Sequence, residues 1–160
     1  MRKGFTMIEL IFVIVILGVL ASVAIPRLAA TRDDAEVAKA ATNLTTAVSD
    51  ITAYYTAKGK FSNGMSTKFN EITNALTKDG KLNVKGETTC VTVSLPAAAT
   101  TASGKVELTL TFDTTKDAVC KQLAKLPGIM TMCGVDTTQA NATVGTTCKI
   151  QIGGSGGIQF

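Results

Sequence analysis

Few residues in this chain can do chemistry, and their spacing narrows what that chemistry could be. There is no histidine and no tryptophan, which removes imidazole acid–base catalysis and histidine metal ligation. No motif sets a base beside a hydroxyl or thiol nucleophile, and no glycine-rich phosphate loop occurs. Asp33-Asp34 is the only adjacent pair of carboxylates, and on a charged helix such a pair is a solvated face. The four cysteines, Cys90, Cys120, Cys133 and Cys148, are spread over the second half with no C-x-x-C pair, so zinc-site spacing is absent. That leaves Glu9, at the front of the uncharged run LIFVIVILGVLASVAI. A charged residue at the centre of a membrane helix costs about 2.5–3.5 kcal/mol, and less near an end. Glu9 therefore calls for a compensating partner.

The element that carries Glu9 is the N-terminal helix. Extended back to Phe5, the apolar run is long enough to cross a hydrocarbon core of about 30 Å. Arg2 and Lys3 precede it, and Arg27 and Arg32, offset by Asp33 and Asp34, follow it. Lysine and arginine alone favour the N-terminus inside, by a small margin. The chain has 160 residues and a net charge of +4, which fits one domain plus an appendage and gives no nucleic-acid footprint. An even number of well-spread cysteines beyond an export-like N-terminus points to two disulfides in an oxidising compartment; the alternative is buried free thiols in the cytosol.

Three readings account for the N-terminus. In the first it is a secretory signal peptide, with residues 10–20 as the apolar region and Ser22-Val23-Ala24 as a small-x-small cleavage site. Pro26 directly after the new end and Glu9 beside the apolar core speak against it. In the second it is a plain single-pass anchor, which leaves Glu9 unexplained. The third rests on the stretch Gly4-Phe5-Thr6-Met7-Ile8-Glu9, which follows a short basic leader and precedes a long apolar helix. Together with Gly18 and Pro26, in register, it resembles the processing site of type IV prepilins and type II secretion pseudopilins. The resemblance runs from residue 1 to about residue 55; beyond that it is architectural only.

The resemblance implies a set of expectations. A prepilin peptidase would cut between Gly4 and Phe5, remove the leader 1–4 and N-methylate Phe5. Gly4 lacks a side chain, so its backbone can lie deep in a protease groove. The new amine at Phe5 and the Glu9 carboxylate lie four residues apart, on one face of a helix. In this family Glu9 is expected to meet the amine of a neighbouring subunit and so set the axial register of a helical homo-oligomeric filament. An unpaired buried charge costs several kcal/mol, so a misplaced subunit is penalised. The alternative is a Glu9 that stays at headgroup level. Residues 18–26, bracketed by Gly18 and Pro26, are expected to unwind in the filament. Implied partners are the prepilin peptidase, an inner-membrane assembly platform and membrane lipid before assembly. The machine is a type IV pilus or, alternatively, a type II secretion pseudopilus, with a slight preference for the pilus because a disulfide-stapled domain suits surface exposure. Before assembly the subunit would sit in the bacterial inner membrane with its C-terminal domain outside the cytoplasm. A reading of another class is a monomeric membrane-anchored or secreted binding domain, but no pocket constellation shows. An enzyme is not expected, nor is a cofactor: the loop 134–147 carries one carboxylate, Asp136, which makes a poor cation site.

The fold class expected is α+β, with one long N-terminal helix packed on a small antiparallel sheet. After Pro26 the helical pattern resumes, and Val37, Ala41, Leu44, Val48, Ile51 and Tyr55 form an amphipathic stripe that stops at Gly59. The helix then covers 5–58, with 5–25 transmembrane and 59–160 globular, and at about 1.5 Å per residue spans roughly 80 Å. Pro26, lacking an amide donor, should kink it. KFSNGMS (60–66) reads as a loop, 67–78 as a short helix, and 91–95, 106–112 and 148–152 as alternating strands. A second helix is predicted over 115–126, capped by Asp113 or Thr114 and stopped by Pro127-Gly128. The tail 158–160 either docks or frays. Four cysteines permit three pairings. Cys133 with Cys148 would close a C-terminal loop and Cys90 with Cys120 would tie helix to strand, but the sequence does not choose.

Overall fold

A computed structural model of the chain describes residues 4–62, 68–96, 105–139 and 142–154. The leader residues 1–3, most of the predicted 60–66 loop and the tail 158–160 lie outside the described residues. Two compact units are separated between Ala35 and Glu36.

Helix α1, Met7–Lys58, is 52 residues long. The helix runs through Pro26. In the first unit its side chains are exposed almost throughout. In the second unit the same helix becomes one-sided, as the change from an all-apolar to an alternating sequence dictates. Val37, Ala40, Leu44, Ala47 and Ile51 are buried at steps of three and four, while Ala41, Val48 and Tyr55 are half-buried at the margin. The stripe is thus centred on Ala40 and Ala47, small residues that a hydrophobic pattern underweights. Gly59 ends the helix with φ +72°, and its N–H bonds the Tyr55 carbonyl at 2.7 Å. That positive φ is the usual glycine cap.

The α+β layout expected from the sequence is the one observed. Four antiparallel strands lie in the order β1 (Lys81–Val84), β2 (Thr88–Ser94), β3 (Val106–Phe112) and β4 (Thr147–Gly153). Val93 faces Leu110, and Leu110 faces Cys148. Leu82, Val84, Val91, Val93, Leu108, Leu110 and Phe112 join the buried residues of α1 in one core. Thr92, Thr109 and Thr111 alternate with them and stay at least partly exposed, as expected for a sheet solvated on one side.

Several sequence expectations are corrected. The predicted helix over 67–78 is instead a three-residue 3-10 turn, Phe69–Glu71, followed by irregular chain. The Thr73 hydroxyl oxygen accepts from the Ala75 N–H at 3.2 Å, and the Thr77 hydroxyl oxygen accepts from the Lys81 N–H at 3.1 Å. Such local side-chain bonds compete with a helical ladder. Phe69 and Leu76 are buried all the same. Strand β1, absent from the prediction, follows directly. Gly80, at φ +72°, leads into this hairpin, and the turn into β2 has positive φ at Lys85 (49°) and Gly86 (95°). The predicted helix over 115–126 shortens to α2, Ala118–Leu123, because Asp117 and not Asp113 or Thr114 caps it. Pro127 does not stop a helix but starts another, α3 (Pro127–Met132). Proline at the first helical position loses no hydrogen bond, since that N–H has no partner in the helix anyway.

Of the three pairings open to four cysteines, the structure joins Cys90 to Cys120 and Cys133 to Cys148, with Cα–Cα distances of 5.1 and 5.4 Å. The first ties β2 to α2 inside the core; the second ties the end of α3 to β4.

Two expectations follow from this packing. Gly80 has φ +72°, and a Cβ there would lie 2.5 Å from the Phe69 ring and 2.6 Å from the Val93 carbonyl oxygen. Left-handed strain of about 1–2 kcal/mol adds to overpacking of about 1–3 kcal/mol. Gly80→Ala should therefore destabilise the domain by about 3 kcal/mol, read from chemical denaturation. The Asp117 carboxylate accepts the Val119 N–H at 2.8 Å and pairs with Lys85 at 3.3 Å. The Val119 bond first, then Lys85, holds its pKa below the usual aspartate value. A depressed folded pKa means the unfolded chain binds more protons, so this contribution is complete above the ordinary aspartate range and is lost as pH falls through the lower folded value. Asp113 and Asp136 behave alike, held down by the hydroxyl and N–H groups of Thr115 and of Thr138. Asp117→Asn should flatten, without abolishing, the fall in melting temperature between neutral pH and pH 2.

Candidate functional site: the N-terminal segment

Residues 4–6 are non-helical, and α1 starts at Met7. The Thr6 carbonyl accepts the Leu10 N–H at 3.2 Å, which puts Thr6 at the helix N-cap. Its hydroxyl donates to the Glu9 carboxylate at 3.3 Å. Thr6-x-x-Glu9 is thus a capping-box sequence at the head of an apolar helix. The pattern is legible in the sequence as T-M-I-E. The box also gives Glu9 a local role: a carboxylate in the first turn interacts favourably with the positive end of the helix dipole.

Gly4 and Phe5 lie just ahead of this cap, exposed, and a Cβ on Gly4 would meet nothing within 4 Å. Gly4 therefore owes nothing to packing among the described residues. Phe5 is 88% exposed. Sixteen large apolar side chains from Phe5 to Leu28 are exposed, among them Ile8, Phe12 and Leu17. The apolar part of α1 is long enough, by length and composition, to cross a membrane, and none of it is buried among the described residues. Gly18 is helical with open space around it. The Ser22 hydroxyl donates to the Val19 carbonyl at 2.7 Å and that of Thr31 to the Leu28 carbonyl at 3.0 Å, so these hydroxyls take their bonds from their own helix rather than from solvent.

Chemically the segment offers an accessible glycine–phenylalanine bond in non-helical chain, one carboxylate in the first turn, and an apolar cylinder. Of the residues singled out from the sequence, Gly4, Phe5 and Glu9 come together at the helix start. Gly18 and Pro26 lie further along α1, and the four cysteines belong to the second unit. Among the described residues no group of three or more histidine, cysteine or acidic side chains could hold a metal ion.

Thr6→Val should fray the first turn of α1. The change removes the hydroxyl that donates to Glu9; a net hydrogen bond is worth about 1 kcal/mol, so amide exchange at residues 7–10 in detergent micelles should quicken about fivefold while exchange in β2 and β3 is unchanged.

No curated protein and no solved structure matches the chain. Residues 1–25 match the family model described as the prokaryotic N-terminal methylation motif. The non-helical Gly4-Phe5, the capped Glu9 and the uncovered apolar helix all belong to that stretch or continue from it, and the chain thus carries at its N-terminus the signature of the type IV pilins and pseudopilins.

Proposed function

We propose that this protein is a structural subunit of a type IV pilus or pilin-like filament. A prepilin peptidase cuts between Gly4 and Phe5 and methylates Phe5, and subunits then polymerise through α1. The subunit first resides in the inner membrane, held by residues 5–25, with residues 59–160 outside the cytoplasm. An assembly platform in that membrane lifts it from lipid into a helical homo-oligomer. The observation that supports this most is the coincidence, in one segment, of the methylation motif with an apolar helix that stays exposed among the described residues. Lipid covers that surface before assembly and neighbouring copies of α1 cover it afterwards.

Within this reading, Glu9 meets the amine that cleavage creates at Phe5 of an adjacent subunit. The Thr6 hydroxyl already occupies part of the carboxylate's hydrogen-bonding capacity, and the amine supplies the opposite charge that a carboxylate in an apolar medium needs. Gly18 and Pro26 mark where α1 loosens as subunits pack. The slight preference for a surface pilus over a secretion pseudopilus rests on the two disulfides, which suit a domain facing the medium.

Mass spectrometry of the N-terminus of the membrane-extracted protein tests the processing step. A mature chain beginning at N-methylated Phe5 is expected. A chain beginning at Ile25 would make this a secretory protein, and one retaining residues 1–4 in cells with an active prepilin peptidase would make it a simple anchor. Glu9→Ala should be cut and inserted like the parent yet form few or no filaments by electron microscopy. Normal filaments from that variant would overturn the charge-pairing step.

A further inference from the structure

The two disulfides sit in different surroundings. Cys90 and Cys120 are each 1% exposed and lie among Val91, Val93, Val119 and Leu123 in the centre of the core. Cys133 is only half-buried. It is the C-terminal cap of the six-residue α3 and is followed by Gly134 with φ +68°. Its partner Cys148 is buried, but in β4, which among the described strands pairs with β3 alone at the edge of the sheet. Disulfide exchange requires a thiolate to reach one of the two sulfurs, and access controls its rate. Around Cys133 that access needs only the end of a short helix to loosen. Around Cys90 and Cys120 it needs the core to open, and local opening is the far more frequent event.

We infer that Cys133–Cys148 is a redox-responsive latch: a dithiol reductant opens it in the folded domain while Cys90–Cys120 stays closed. The reductant's thiolate attacks Cys133 Sγ, forming a mixed disulfide, and Cys148 leaves as a thiolate that takes up a proton. The reductant's second thiolate then displaces Cys133. The reductant ends as a disulfide, and Cys133 and Cys148 end as two thiols. The chain between them keeps other anchors. The Val135 N–H bonds the Met130 carbonyl at 2.9 Å, the Val144 N–H bonds the Ala124 carbonyl at 3.0 Å, and the Thr146 carbonyl accepts the Phe112 N–H at 2.8 Å. Opening the latch thus leaves the domain folded, loosens the joint between α3 and β4, and uncovers two thiols able to exchange with a second thiol partner. The latch belongs to the domain alone and does not depend on filament assembly.

The test uses the full chain in detergent micelles at neutral pH. It is treated with dithiothreitol over a range of concentrations, quenched with N-ethylmaleimide and analysed by peptide mass spectrometry. Labelling of Cys133 and Cys148 at least tenfold faster than Cys90 and Cys120 is expected. Equal rates, faster labelling of the core pair, or no labelling of any cysteine without denaturant would overturn the proposal. Amide exchange of the selectively reduced chain gives a second readout. Exchange should rise in α3 and β4 and stay unchanged in β2 and α2; a rise throughout would mean that the bond is a general staple and not a latch.

Discussion

Water is a poor solvent for the surface that residues 5–28 present. Sixteen large apolar side chains lie exposed along one stretch of helix, where a soluble monomer shows apolar patches of a few hundred Å² at most. The helix satisfies its own backbone hydrogen bonds, so it can exist in hydrocarbon without partners, but it has no core of its own to enter. An exposed apolar surface of this size marks a membrane or protein interaction site. The separate features of the first unit answer to that constraint. Ser22 and Thr31 turn their hydroxyls back onto helix carbonyls, the Thr6 hydroxyl donates to the Glu9 carboxylate, and Glu9 lies in the first turn of the helix, near the end of the apolar stretch, where a charge costs less than at its centre.

The second unit solves a different problem with the same helix. From Val37 onward α1 supplies one wall of an ordinary core, and a four-stranded sheet supplies the other. Alanines at the centre of the helical seam, Ala40 and Ala47, share that core with larger strand side chains such as Leu108 and Leu110. The elements that cover the remaining core are short: α2 and α3 have six residues each. Helices of that length do not hold themselves in water. Each is fixed by chemistry at its ends, through the Asp117 cap and Lys85 for α2, Pro127 at the start of α3, and a disulfide for each.

Stability and function are thereby separated along the chain. The features that would act in assembly lie in the first unit, and the covalent and ionic ties lie in the second. Changes to Phe5, Glu9 or the apolar run leave the folded domain's core contacts in place. Changes to Gly80, Asp117 or the cysteines act on the domain and leave the methylation motif intact.

The sequence by itself determined the long helix, its division into an all-apolar and a one-sided half, the strand β3, and the N-terminal motif. These are signals of local residue type and period, and α1 and β3 are long enough for the period to be unambiguous. It also held Thr6 in plain view, in a pattern of four residues. Only the tertiary structure decided the elements that are short or capped. The chain over 67–78 shows helical spacing but becomes a turn, because Thr73 and Thr77 bond the backbone locally and Phe69 packs against Gly80. Strand β1 has four residues and exists because β2 is there to pair with it. Pro127 fits the end of one helix and the start of the next equally well by type, and its surroundings choose the second. The cysteine pairs were likewise decided by folding, since which sulfurs meet depends on distances between residues 30 and 15 positions apart, and no local pattern encodes those.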